Sequence, residues 1–367
     1  MRQDSVFSPS FGNRPTHLVG RERVLSELVE GLTSAPGSRE RATVLLGQRG
    51  SGKTVLLWEL ADRATAEEFA VAKPTVSTDG MLERIVEKLQ DAGEQLLGAE
   101  SAHLTGGSVG ALGFTVGLQF SREVQETKSA QYRLTQLVRK LSGQGHGTLL
   151  LIDELQANSP EVRRLVTVYQ EMVGEGLNVA LVMAGLPGAV SATLNDHVLT
   201  FLNRAKKVDL PELPISDVDA FFAQAFSRLN LRIEPHVRYR AAKETHGSPY
   251  LLQLVGHNIV LWSDDAGELS AEAYSEAVSN AQRDYKNDVC KTTMAALSEK
   301  DGEFLAAMSE DSGSSSIADV AQRMGVTYDY AQKYRRRLID AGVIEVPTRG
   351  KVAFAVPFLA EYLREDR

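Results

Sequence analysis

A chain of 367 residues is long enough for two or three domains, each with its own core. Its composition, 43% hydrophobic and 24% charged, is that of a globular protein, and a net charge of −8 argues against coating nucleic acid all over while leaving room for a local basic face. A single cysteine, Cys290, excludes an internal disulfide, and the seven scattered histidines show no zinc spacing. The longest apolar stretch, Val179–Leu186, is too short for a bilayer, and Met1–Asn13 has no basic-then-apolar leader, so a cytoplasmic protein is expected.

The apolar run Ala42–Leu46 predicts a strand, and Val55–Arg63 predicts a helix. Between them stands Gly-Gln-Arg-Gly-Ser-Gly-Lys-Thr, a complete phosphate-loop pattern. Glycines at 47, 50 and 52 let backbone amides curl around phosphates with no Cβ in the way, and the helix behind adds a favourable dipole. The predicted nucleotide-contacting run is Gly47, Gln48, Arg49, Gly50, Ser51, Gly52, Lys53, Thr54 and Val55. Lys53 is assigned to the β/γ-phosphates and Thr54 to Mg²⁺. Trp58 reads as core packing or as a base platform.

Further strands are predicted at Val71–Val76, Thr148–Ile152, Val179–Ala184 and Lys207–Leu210, with helices between them at about 80–97 and 128–142. Alternation of this kind predicts an α/β fold with a parallel sheet covered on both faces. Residues 104–120, rich in glycine, are expected to form an inserted hairpin, on the surface or reaching a partner. The strand Thr148–Ile152 ends in Asp153-Glu154. Acids at the carboxyl end of a strand beside a phosphate loop suit metal-dependent hydrolysis, with Asp153 on the metal and Glu154 orienting or deprotonating water.

Residues 214–297 read as a helical lid, with helices at Ser216–Leu229 and at about 235–245, 249–262, 270–279 and 281–297. Residues 298–367 read as a winged helix-turn-helix: Ser316–Met324, a turn, Tyr328–Ala341, then strands Val343–Val346 and Val352–Val356 around a basic tip. On the second helix Ala331, Tyr334 and Leu338 repeat at helical spacing toward the core. Tyr328, Gln332, Lys333, Arg336 and Arg337, with Arg349 and Lys351 of the wing, form the expected face for double-stranded DNA. A protein-binding winged helix with a solvated basic face is the alternative.

Three stretches carry a family resemblance. Pro15–Leu28 (PTHLVGRERVLSEL) resembles the Gly-Arg box of the initiator-type AAA+ ATPases (Orc1/Cdc6-like) and of the STAND signalling ATPases, which places Gly20 and Arg21 on the adenine side. Phe201–Leu213 resembles the segment that carries an arginine finger, which implies that role for Arg204; a solvated helix cap is the plain alternative. His246–Leu254 resembles the Gly-x-Pro element of the lid, with Gly247 and Pro249 near the base, and His246 beside it reads as a nucleotide contact or a capping residue. The resemblance implies a P-loop, AAA+-type ATPase core over 1–213, ATP and Mg²⁺ as ligands, and an ATP-dependent homo-oligomer.

Two departures qualify it. Ala184-Gly185-Leu186-Pro187 stands where a polar γ-phosphate sensor is usual, and Tyr250 stands where a lid arginine is expected. Both lean toward STAND proteins and slow hydrolysis. Two readings follow: an ATP-controlled DNA-binding switch in replication, plasmid or prophage maintenance or transposition, or a signalling or defence ATPase with a protein partner.

Overall fold

A computed structural model describes residues 4–9, 18–76, 78–105, 129–156, 159–194 and 199–365. Five parallel strands form the first layer: β1 (Ala42–Leu46), β2 (Phe69–Val76), β3 (Gly147–Leu155), β4 (Val179–Gly185) and β5 (Lys206–Asp209). Their order is β2-β3-β4-β1-β5. Every residue of β4 and all but one of β3 are buried, as a sheet covered on both faces requires. One face packs α1 (Glu22–Thr33) and α2 (Lys53–Ala66) through Leu25, Leu28, Leu56, Leu57 and Leu60. The other carries α3 (Met81–Thr105), α4 (Ala130–Gly143) and α5 (Pro160–Gly174) through residues such as Ile85, Leu134 and Leu165.

The first long helix continues to Thr105, so Leu104 and Thr105 belong to α3 rather than to the expected hairpin; residues 106–120 lie outside the described residues. Pro74 stands inside β2, where the register with β3 slips by one residue between Ala72 and Thr75. A bulge is where a strand tolerates a residue that cannot donate to the ladder. A short helix missing from the sequence reading, α6 (Pro187–Leu194), follows β4.

Helices α7 (Ile215–Arg228), α8 (Pro235–Glu244), α9 (Pro249–Trp262) and α10 (Ala271–Tyr285) come next. The two helices expected at 270–279 and 281–297 need correction. A single α-helix runs to Tyr285, then a π turn over Lys286–Cys290, then α11 (Lys291–Ala295). The sequence between 279 and 281 holds no glycine or proline to break the helix. Residues 4–8 belong to the same layer. Phe7 is buried among Phe221, Phe222 and Phe226, and a Cβ on Gly256 would overlap its ring. The Asp4 carboxylate meets His257 Nδ1 at 2.6 Å and accepts from the Val6 and Phe7 amides; Ser8 donates its amide to Gln253 at 2.9 Å.

The last part has α12 (Glu299–Met308), α13 (Ile317–Arg323) and α14 (Tyr328–Asp340), each started by a Ser or Thr N-cap. A three-stranded antiparallel sheet joins them: β6 (Ser314–Ser316), β7 (Ile344–Glu345) and β8 (Lys351–Phe354), in the order β6-β8-β7. β6 lies in a polar Ser run with no apolar alternation, which hid it. A final helix, α15 (Leu359–Glu365), buries Leu359 and Leu363. Ala331, Tyr334 and Leu338 are buried, as their spacing requires.

Candidate nucleotide site and C-terminal basic face

The loop after β1 enters α2 through Gly50 and Gly52, at φ 75° and 86°. Their backbone is left-handed, which excludes most side chains there. Gly47 donates its amide to the Gly185 carbonyl, tying the loop to the end of β4. Lys53 Nζ donates to the carbonyls of Gly47 at 2.8 Å and Gln48 at 2.7 Å, so the loop already curls around the ammonium. Burial pulls Lys53 down to about 8; Asp153 opposes that, Arg49 adds to it, and Glu154 opposes it.

Thr54 Oγ1 donates to Asp153 Oδ2 at 2.6 Å. A hydroxyl and a 6%-exposed carboxylate in contact are hard oxygen donors of the kind magnesium takes. Ser51 Oγ lies inside the loop with no hydrogen-bond partner among the described residues. These features fit a magnesium–triphosphate pair, with Thr54 and Asp153 as the residues that would hold the metal.

Glu154 is placed by a defect in the sheet. Ile152 pairs with Met183 but Leu155 pairs with Gly185, so two residues of β3 stand against one of β4. Within this bulge Glu154 takes a φ of 50° and is exposed, while its amide donates to Asp153 Oδ1 at 2.9 Å. A bulge re-aims the side chain it carries. Neighbouring carboxylates therefore diverge, one against Thr54 and one toward solvent.

The start of α9 sits directly on the loop. A Cβ on Gly50 would lie 3.2 Å from Tyr250 Cβ, and one on Gly52 would lie 3.8 Å from Pro249. Gly247, at φ 69°, passes so close to Leu213 that a Cβ would come within 2.6 Å of its carbonyl oxygen. Tyr250 donates its hydroxyl to Asp288 of the π turn at 2.6 Å. Burial first, then that bond, raises its pKa.

Gly20, at φ 63°, lies against Leu213. Arg21 is 5% exposed and donates to the Pro211 carbonyl and, at 3.5 Å, to that of Ser51. It ties the phosphate loop to the segment between β5 and α7. Trp58 is half-buried with Lys73 over its ring at 5.8 Å. Arg204 ends a 3-10 turn just before β5 and is exposed. β5 runs parallel to β1, with Lys206 beside Thr43, so Arg204 lies at the end of the sheet away from its own phosphate loop.

On α14, Tyr328, Lys333 and Arg336 are exposed, and Gln332 donates to the Tyr328 hydroxyl at 2.8 Å. Arg349 and Lys351 are exposed around the tight turn at Gly350. Arg337 is exposed as well, and it also donates to the buried Asp301 of α12 at 2.8 Å and lies over Tyr334. It serves the fold of this unit. The far end of α14 rests on α6, where a Cβ on Gly188 would overlap the Asp340 backbone, and Gly342 lies against Gln48 of the phosphate loop. Sequence reading missed both contacts, since neither leaves a local pattern.

A family model for an AAA ATPase domain matches residues 17–183, and one described as a domain of unknown function (DUF8462) matches residues 287–363. No curated protein matches the sequence. Among solved structures, a Walker-type ATPase of Pyrococcus abyssi is similar at TM-score 0.67 and 17% identity, over 96% of this chain and 97% of that one. The Aeropyrum pernix ORC2 protein, solved with ADPNP and ADP, is similar at TM-score 0.63 and 17% identity, over 97% and 96%. Cdc6p from Pyrobaculum aerophilum follows at TM-score 0.51 and 14% identity, over 99% and 98%. With a parallel five-stranded sheet, an intact phosphate-loop sequence and these likenesses, residues 17–183 carry an AAA ATPase domain, and the chain has an α/β P-loop fold like that of the Orc/Cdc6 structures.

Proposed function

We propose that this protein binds and slowly hydrolyses ATP with Mg²⁺, and that its nucleotide state controls a C-terminal winged helix-turn-helix which binds double-stranded DNA. Residues 1–213 would be the ATPase core, 214–297 the lid and 298–367 the DNA-binding part. The carrying observation is Thr54 Oγ1 at 2.6 Å from Asp153 Oδ2, beside a lysine already wrapped by the loop's carbonyls. When bound, magnesium supplies charge neutralisation at the phosphate oxygens. Lys53 would hold the β/γ-phosphates, and the loop amides would orient them. Glu154, set apart from Asp153 by the bulge, would position the attacking water and take its proton.

Slow turnover is supported by Tyr250, which is tied to Asp288 and carries no charge to the phosphates, and by Gly185 in place of a polar sensor. The exposed set Tyr328, Lys333, Arg336, Arg349 and Lys351, with Gln332 beside it, supports DNA contact. Arg204, remote from its own loop, would act on a neighbour's nucleotide in an ATP-dependent homo-oligomer. Replication initiation, plasmid or prophage maintenance and transposition are roles that such a switch would fit.

A second reading, a STAND-like signalling or defence ATPase, is favoured by the packing of α14 on α6 and of Gly342 on Gln48. Duplex binding measured with ATP, with ADP and without nucleotide separates the two. A nucleotide-dependent affinity that persists in Glu154→Gln, while its hydrolysis falls about 100-fold or more, supports the DNA switch. Binding indifferent to nucleotide supports the signalling protein.

A further inference from the structure

Residues 228–244 carry Arg228, Arg232, Arg238, Arg240 and Lys243 against two acids, Glu234 and Glu244, in a chain whose net charge is −8, and Glu244 accepts from Gln282 at 3.2 Å. On α8, His236, Tyr239, Arg240 and Lys243 stand at i, i+3, i+4 and i+7, so they share one face, and all four are exposed. Ala241 and Ala242 pack the opposite side into the lid. Arg238 is neutralised by Asp219 at 2.8 Å, so it stabilises the fold instead of adding to the stripe.

Two of the remaining cations are held in place by aromatic rings. Arg240 lies 4.7 Å from the Tyr274 ring centroid and Lys243 lies 4.9 Å from that of Tyr239. Among the described residues no carboxylate comes within 4.0 Å of either charge. Tyr239 is 45% exposed, a ring open to stacking. The stripe does not end in open solvent. Lys243 and His246 line a cavity of about 390 Å³ together with Phe354, Ala355 and Pro357, at the end of β8. Lys351 opens the same strand. Glu212 lines that cavity too and marks where the positive face stops.

We infer that the exposed face of α8 is a second nucleic-acid surface, on which Arg240 and Lys243 neutralise backbone phosphates and Tyr239 stacks on a sugar or base. It adjoins the C-terminal β-ribbon at the shared cavity, where Glu212 interrupts the positive face. Cations on aromatic supports suit a phosphodiester backbone, since they are preordered and unpaired by carboxylate. The contact would carry no sequence information and would lengthen the footprint past the α14 site. This inference rests on the DNA-binding reading above.

The test uses full-length protein and a 40-base-pair duplex titrated across salt. Arg240→Gln/Lys243→Gln should weaken binding and make the log–log salt slope shallower by about 2, one step per lost phosphate contact. ATP binding and hydrolysis should not change. Lys243→Glu alone, which leaves the Arg240–Tyr274 contact intact, should lower affinity further than Lys243→Gln, and Arg240→Lys should restore most of the slope. A duplex bound by wild type with an unchanged slope in the double variant, while Arg349→Ala/Lys351→Ala reduces it, overturns the second surface alone. Wild type that binds no duplex overturns both readings. Poly-glutamate bound as tightly as DNA and lost in the same variant overturns the nucleic-acid assignment in favour of an acidic protein.

Discussion

Gln48 of the phosphate loop lies against Gly342, two residues past the end of α14, so that a Cβ on that glycine would overlap the Gln48 amide. The two are distant in sequence, and between them they join the nucleotide loop to the C-terminal unit. A second contact of the same kind, Gly188 on the Asp340 backbone, lies in α6. Gly188→Ala needs no unusual φ, so its effect is purely steric. It should undock α14 at a cost of about 1–3 kcal/mol to the folded assembly. Limited proteolysis of the C-terminal unit, faster in Gly188→Ala at unchanged ATP affinity, is the expected result; identical digestion rates would show the contact to be dispensable.

Lys53 gives a pH signature. Burial, opposed by Asp153, lowers its pKa to about 8. Below that value the ammonium is charged and ready for phosphate; above it the group is neutral. ATP affinity should therefore fall as pH rises through about 8, by up to tenfold per pH unit, with proton uptake on binding. Calorimetry in buffers of different ionisation enthalpy reads that uptake. A flat affinity from pH 7.5 to 9.5 contradicts it. Lys53→Ala should cost about 3 kcal/mol or more in ATP binding at pH 7.

Arg204 lies at the opposite end of β5 from the loop, about 13 Å of strand away. Arg204→Ala should thus leave ATP binding intact and reduce hydrolysis by up to about 1,000-fold, only at protein concentrations where wild type assembles. Equal loss in dilute monomer would assign the residue to another role.

Phe7 should matter more than its place near the chain start suggests. Its ring fills a space between α7 and α9 against Phe221, Phe222 and Phe226. Phe7→Ala should destabilise the α7–α10 layer by about 3–5 kcal/mol in urea unfolding. Asp4→Asn should cost less, since it removes the charge opposite His257 but keeps an oxygen for the Val6 and Phe7 amides.

Much of this was legible in the sequence for a physical reason. The phosphate loop, the Asp153-Glu154 pair and the five strands are local signals: glycine punctuation, strand-length apolar runs and acids at a strand end. The elements that escaped notice lack such signals. β6 is built of serine, α6 has no polar face to give it a period, and the π turn at Lys286–Cys290 differs from a helix only in its hydrogen bonds. Arg337 looked like its cationic neighbours, and only the fold brings Asp301 to it. Gln48 on Gly342, and Phe7 under Gly256, are contacts between distant residues that no periodicity announces.

The extra residue in β3 has one more consequence. Only Asp153 and Glu154 stand between Ile152 and Leu155, so deleting a single residue there would restore an even ladder to β4 and leave one acid where the site needs two that diverge. Insertions and deletions at this spot should therefore be tolerated less well than changes of residue type. Its chemistry depends on a count of residues as much as on their identity.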